Sequence, residues 1–151
     1  MNYYFWVGLW QTRFFIVKES NIVIEEEHEE EMLLWGESPL NSDSLLSISK
    51  SLHQEKSWSD ERIQYGKIDG TCLEISYDGN IISEITCRID VRNISLEILR
   101  EIVDFMVINK ARILISETIY DASLDSIALT IKQSNAYRFC KDPLAFLNDL
   151  C

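Results

Sequence analysis

The stretch TCLEISYDGNIISEITCRIDVRNISLEILREIVDFMVI, residues 71–108, decides the fold of this 151-residue chain. In its first half, apolar and polar residues alternate along two segments, residues 71–77 and 81–92. A period of two is typical of strands that bury one face and leave the other in solvent. The stretch therefore predicts two antiparallel strands with a wet outer face.

The turn between these strands also predicts their register. Asp78-Gly79-Asn80 tolerates positive φ angles, so we expect a three-residue loop. With such a loop the apolar residues of both strands share one face, Tyr77 lies opposite Ile81, and Cys72 lies opposite Thr86. In this register Cys72 does not face Cys87.

The clearest helical pattern in the chain follows at once. Asn93 or Ser95 can cap it, and its apolar residues form a broad stripe made of Leu96, Ile98, Leu99, Ile102, Val103, Phe105 and Met106. Its solvent face carries Glu97, Arg100, Glu101 and Asp104. Residues 112–116 then predict a short buried strand, so residues 85–116 predict a β-α-β unit, right-handed if its strands are parallel neighbours.

The chain before this centre predicts further strands and one helix. Strands are expected at residues 3–7, 13–18 and 22–24, and a helix within residues 38–53, capped by Asn41, Ser42 or Asp43. Residues 54–60 are expected to form a loop, and residues 62–68 the first strand of a three-strand meander, with a bulge at Gly66.

The chain after the β-α-β unit predicts a loop at residues 119–122 and a helix capped by Ser123. A short edge strand is expected at residues 136–140, then a helix started by Asp142-Pro143. This last helix is expected to dock through Leu144, Phe146, Leu147 and Leu150. Together these elements predict one α+β domain over residues 1–151, with a mainly antiparallel sheet packed against helices.

The charge of the chain restricts its partners. The formal net charge is −11, and residues 25–37 hold seven carboxylates and no lysine or arginine, which is −7 of that total. Such a field repels nucleic acids and anionic membranes and attracts basic proteins. The pattern leaves open whether this acidic run is a helix or a charged loop.

The cysteines and the N-terminus favour a cytoplasmic protein. The four cysteines, Cys72, Cys87, Cys140 and Cys151, show no C-x-x-C spacing, so we expect free thiols in a reducing compartment. The first residues have no basic segment and no small-residue cleavage site, so their composition does not match a signal peptide. No segment reaches transmembrane length.

The residues that could carry chemistry favour no enzyme, metal site or cofactor. The segment beginning at His28-Glu29 lacks the second histidine of a zinc-protease motif, and the glutamates around it match no calcium loop. His28 and His53 have no nucleophile or orienting carboxylate at a recognisable spacing. Arg88, Asp90 and Arg92 could bind an anion, but an ion-pair ladder is favoured because opposite charges alternate.

Two tryptophans near carboxylates suggest a protein interface. Trp35 and Trp58 lie in segments expected to be loops or to adjoin loops. Aromatic anchors flanked by carboxylates suit a basic partner, although both tryptophans could instead cap the core. The candidate contact residues are Glu25, Glu26, Glu27, Glu29, Glu30, Glu31, Trp35, Trp58, Asp60 and Glu61.

The second half of the chain carries a resemblance to a known group. A meander leading into ITCRIDVR (residues 85–92), a helix, SNAYRF (residues 134–139) and Asp142-Pro143 resembles small cytoplasmic immunity proteins of bacterial polymorphic-toxin and contact-dependent growth inhibition systems. The resemblance implies a stoichiometric inhibitor that covers the active site of a toxin domain, often a basic nuclease. It assigns no individual site residue.

Two other functions stay open from the sequence. The chain could be a structural domain that self-assembles into a homodimer through its aromatic surface. It could also be a metal-dependent enzyme that uses His28 and the neighbouring glutamates.

Overall fold

The computed structural model describes residues 8–19, 35 and 39–149. The expected strands at residues 3–7 and 22–24 and the acidic run at residues 25–31 lie outside these residues. The strands are β1 (Gln11–Lys18), β2 (Gln54–Glu55), β3 (Arg62–Tyr65), β4 (Cys72–Asp78), β5 (Ile81–Asp90), β6 (Ala111–Ile115) and β7 (Thr118–Tyr120). The helices are α1 (Ser42–Ser51), α2 (Leu96–Ile108), α3 (Leu124–Lys132), α4 (Asn135–Lys141) and α5 (Pro143–Asp149).

All seven described strands form one sheet in the order β2-β3-β4-β5-β1-β6-β7, and every neighbouring pair is antiparallel. The predicted α+β class and the β3-β4-β5 meander are confirmed. The strand predicted at residues 13–18 is confirmed as β1.

The β-α-β unit differs from the expected one because β1 lies between its two strands. β1 pairs antiparallel with both β5 and β6, so β5 and β6 run parallel but are not neighbours. Phe15 lies opposite Thr86 on one side and Leu114 on the other. Helix α2 therefore connects two strands that a third, from far earlier in the chain, separates.

The register of the β4–β5 hairpin also differs from the prediction. Asp78 pairs with Ile81, so the turn has two residues, and Cys72 lies opposite Arg88 rather than Thr86. A shift in register between Ser76 and Tyr77 restores the alignment of the two apolar faces. The predicted outcome, that the apolar residues share a face and that Cys72 does not face Cys87, is confirmed.

One face of the sheet, the apolar face, forms the core with α1, α2 and α3. Its central side chains are almost fully buried and include Phe14, Ile16, Leu73, Ile75, Ile85, Cys87, Ile89 and Ile113. The predicted helices are confirmed, with Asn41, Ser95 and Ser123 as their caps. Each cap oxygen accepts a hydrogen bond from a backbone N–H in the first turn.

The opposite face, the polar face, is buried, so the expectation of a wet outer face is wrong. Its buried polar and charged residues are Gln11, Gln64, Glu74, Ser76, Thr86, Arg88 and Asp90. Alternation identified these residues as polar, but alternation cannot distinguish solvent from a buried layer in which charges pair across strands.

The segments expected to be loops, residues 54–60 and 119–122, instead contribute to the two edge strands of the sheet. Gln54–Glu55 forms the short edge strand β2, and Thr118–Tyr120 forms β7 after a turn in which Ser116 has φ 53°. The expected bulge at Gly66 is absent from the β3–β4 pairing. Gly66 has φ +89° and ends β3, and a Cβ there would lie 2.3 Å from the Thr71 carbonyl oxygen.

The C-terminal region is helical where an edge strand was expected. Residues 136–140 belong to α4, because the Ser134 hydroxyl accepts a hydrogen bond from the Tyr137 N–H and starts a helix. The Asp142 start of α5 is confirmed by its bond from the Ala145 N–H. Of the side chains expected to dock α5, Phe146 is buried, Leu144 and Leu147 are exposed, and Leu150 lies outside the described residues.

No helix within the described ranges has the length and apolar character needed to cross a membrane.

Candidate functional site

Trp35 lies in the core and not on the surface. Its side chain is 1% exposed, and its indole Nε1 donates a hydrogen bond to the Ile16 carbonyl oxygen at 3.1 Å. Its backbone N–H donates to the Ile82 carbonyl oxygen, and the Lys18 ammonium lies 5.6 Å from the ring centre. The expectation that Trp35 is an exposed contact residue is therefore wrong, because its indole is buried against β1 while its backbone bonds to the start of β5.

The other predicted contact residues divide into two groups. Glu25, Glu26, Glu27, Glu29, Glu30 and Glu31 lie outside the described residues, as does His28. Trp58, Asp60 and Glu61 lie together in the β2–β3 loop, residues 56–61, and all three are exposed. The candidate site is this loop, which we call the Trp58 loop.

Hydrogen bonds between residues close in sequence order the Trp58 loop. The Ser59 hydroxyl accepts from the Glu61 N–H, and the Ser59 carbonyl oxygen accepts from the Arg62 N–H. The Glu61 carbonyl oxygen accepts from the Tyr77 N–H at 2.8 Å, which ties the end of the loop to β4. Serine hydroxyls form such local turns readily, so the serines around Trp58 explain why the loop is compact.

A buried charge network supports the exposed tryptophan. Trp58 is 53% exposed, and the Arg62 guanidinium carbon lies 4.7 Å from its ring centre. Arg62 is itself buried and donates from Nη1 to the Glu74 carboxylate at 3.0 Å. The indole therefore rests on a guanidinium that β4 holds in place, a preorganised cation–π contact.

Glu74 is the centre of this network on the polar face. Its second carboxylate oxygen lies 3.5 Å from Nε of Arg88, and Glu84 lies 3.6 Å from the Arg62 guanidinium. Burial raises the pKa of Glu84, although the positive charges of Arg62 and Arg13 act in the opposite direction. Burial is also the largest cause that lowers the pKa of Arg13, followed by repulsion from Arg88.

Sequence reasoning missed this network and its link to Trp58. Arg62, Glu74 and Arg88 are on three adjacent strands, and their side chains share a face because Gln64 lies opposite Glu74 and Cys72 opposite Arg88. The sequence does contain a sign of this network, because each of the three strands carries a charged residue at a position that alternates with apolar ones. Without the register, those positions could not be brought together.

The carboxylates of the Trp58 loop are available to a partner. Asp60 and Glu61 are exposed, and neither forms an ion pair with any part of the chain that the structure describes. An exposed indole beside two such carboxylates offers apolar area and negative charge together.

The charges at the end of β5 and just after it all form ion pairs within the fold. Arg92 binds both carboxylate oxygens of Asp90 and lies 4.2 Å from the Trp10 ring centre, whereas Arg88 pairs with Glu74 on β4. The predicted ion pairing is therefore found between Asp90 and Arg92, whereas Arg88 pairs across the sheet with Glu74 and not within the expected ladder.

The described cysteines and His53 are not arranged as a catalytic or metal-binding group. Cys72, Cys87 and Cys140 are free, and burial raises the pKa of Cys72 to about 12 and that of Cys87 well above its usual value. The two buried thiols are therefore protonated at neutral pH. His53 is exposed, and within residues 8–19, 35 and 39–149 no three metal-ligating side chains are grouped to hold an ion.

Comparison with protein-family models, with curated proteins and with solved structures finds no match to this chain. Its function is therefore inferred from its own residues.

Proposed function

We propose that this chain is a non-enzymatic binding protein that neutralises a basic protein, as a cytoplasmic bacterial immunity protein neutralises its toxin domain. The observation that carries the proposal is the Trp58 loop. There an exposed indole is fixed by the buried Arg62–Glu74 pair, beside the carboxylates of Asp60 and Glu61, which form no ion pair with the described residues. Residues that bind protein partners tightly are commonly aromatic side chains held in place before contact.

The distribution of charge supports a cationic partner. All fourteen lysines and arginines lie outside residues 25–37, which carry seven carboxylates. We assign this acidic run the role of attracting the partner, and the Trp58 loop the role of forming the closely packed contact. Long-range attraction mainly raises the association rate, whereas a buried aromatic contact mainly slows dissociation.

The proposal places the protein in the cytoplasm. The three described cysteines are free thiols, which suits a reducing compartment. A basic toxin domain that enters or is made in the same compartment would meet the inhibitor there.

The test requires a candidate toxin, and the gene next to this one is the place to find it. The C-terminal domain of an adjacent large secreted protein would be co-expressed with this chain, and cell growth and complex formation would be measured. We expect wild-type protein to restore growth and to bind at a one-to-one ratio. Failure to bind or protect against any basic domain encoded beside it would contradict the proposal.

Two variants separate the assigned roles. Reversing the charge of Glu25, Glu26, Glu27, Glu29, Glu30 and Glu31 should lower the association rate and flatten its dependence on salt. Trp58→Ala should raise the dissociation rate and leave the salt dependence unchanged. Glu117→Lys, at an exposed turn between β6 and β7, is the control. If the charge-reversed and wild-type proteins associate at equal rates with equal salt slopes, the proposal is wrong.

Self-assembly is the competing explanation, and exposed apolar side chains favour it. Val107 on α2 and Leu144 on α5 are 58% and 74% exposed. Light scattering over a range of concentrations distinguishes the two. A monomer mass at every concentration supports the binding protein. A mass that rises to twice the monomer value as the concentration increases supports the homodimer.

A further inference from the structure

A groove lies between helices α1 and α2. It encloses about 210 Å³. Its walls are Ser44 and Ser47 from α1 and, from α2, Glu101, Asp104, Phe105, Val107 and Ile108. Small serine side chains leave this space open where larger ones on α1 would fill it.

The groove has a fixed shape because one side chain ties the two helices together. Asn109, at the C-terminus of α2, donates from Nδ2 to the Ser44 hydroxyl and to the Phe105 carbonyl oxygen. Its Oδ1 accepts from the N–H of Asn41, the cap of α1. The C-terminus of α2 is therefore held beside the N-terminus of α1, and the groove is preorganised.

The size and lining of the groove select its occupant. Small-molecule sites typically enclose about 300–1,000 Å³, so this space suits one or two side chains better than a free ligand. Val107 and Ile108 expose 58% and 50% of their surface at one end. Glu101 and Asp104 stand at its edge and form no ion pair with the described residues, including Lys50 and Arg100 on the same helices.

We propose that this groove receives one arginine or lysine side chain of a protein partner that lies across α1 and α2. The methylene groups of such a side chain would pack on Val107 and Ile108, and its cationic group would pair with Glu101 and Asp104. A long side chain with an apolar stem and a positive end matches both parts of the lining. This inference adds a second contact surface to the proposed function. It rests on the proposed function only for the expectation that the partner is basic.

The test uses synthetic helical peptides and needs no identified partner. A capped alanine-based peptide carrying two leucines and one arginine would be titrated into ¹⁵N-labelled protein at physiological salt, beside lysine and norleucine versions. We expect shifts confined to the backbone amides of α1 and α2 around the groove. The arginine and lysine peptides should bind, and the norleucine peptide should bind at least about tenfold more weakly.

Two substitutions localise the binding. The double variant Glu101→Gln, Asp104→Asn should weaken binding of the arginine peptide at least about tenfold. The control double variant Glu117→Gln, Asp121→Asn removes the same charge elsewhere and should leave that binding unchanged. Ser47→Leu should block the groove without a change of charge, and Ser49→Leu on the same helix should not.

Amide shifts scattered over the protein, or equal weakening of peptide binding by both charge-removing double variants, would mean only general attraction to an acidic protein and would overturn the inference. The absence of any peptide binding would overturn it as well. Either result leaves the proposed function intact if a basic toxin domain still binds through Trp58. Loss of that binding with intact groove binding would contradict the proposed function alone.

Discussion

At the scale of single residues, Glu74 shows how this fold tolerates charge in its interior. The carboxylate is 1% exposed and serves two guanidinium groups, of Arg62 at 3.0 Å and of Arg88 at 3.5 Å. Taking these ions out of water is costly, and the mutual attraction offsets that cost only while each partner is present. One side chain therefore stabilises the polar face and, through Arg62, positions Trp58.

We predict that Glu74→Gln destabilises the protein by about 3–5 kcal/mol, because two buried guanidinium groups lose their counter-charge. Urea unfolding at neutral pH measures the loss. Glu19→Gln is the matched control, since it breaks the exposed pair with Arg112, and it should cost about 0–1 kcal/mol. Equally small losses in both variants would show that the buried pairs contribute no more than surface ones.

At the scale of elements, the length of the apolar pattern decided which predictions succeeded. Helix α2 repeats its pattern over 13 residues, so the sequence predicts most of its buried side and narrows its cap to Asn93 or Ser95, of which Ser95 is the cap. Leu96, expected in the apolar stripe, is exposed. Helix α4 has only 7 residues, and its apolar residues suit a strand equally well. Short segments take their conformation from the cap and the packing around them, here Ser134 and the core contact of Tyr137.

The junction of α1 and α2 gives the prediction at this scale. Asn109→Ala should lower the free energy of unfolding by about 1–3 kcal/mol, because the Asn41 N–H loses its acceptor and the buried Ser44 hydroxyl loses one of its two hydrogen-bond partners. Urea denaturation tests this, and Asn93→Ala, in the exposed segment before α2, should change stability by less than about 0.5 kcal/mol. If the two alanine variants are equally stable, the amide does not join the helices.

At the scale of the whole molecule, long-range pairing limited what the sequence could predict. The meander was predictable because its strands follow one another along the chain. The position of β1 was not, since its partners are residues 85–90 and 111–114. The same limit applied to the candidate site: Trp35 and Trp58 have similar acidic surroundings in sequence, and only tertiary packing buries the first and exposes the second.

The central position of β1 predicts the order in which the sheet opens. Phe15 and Ile16 are paired on both sides, to β5 and to β6, whereas Gln54 and Glu55 form a two-residue edge that is exposed. Edge segments open locally at low cost, but central strands open only when the sheet is lost.

Native-state hydrogen exchange should therefore find that amides in the middle of β1 exchange only through global unfolding, with the same free energy of unfolding that urea denaturation measures. Amides of β2 should exchange by local opening, largely independent of urea. If β1 exchanges as fast as β2, the strand is peripheral, and a sheet completed by insertion of the N-terminal segment between β5 and β6 is wrong.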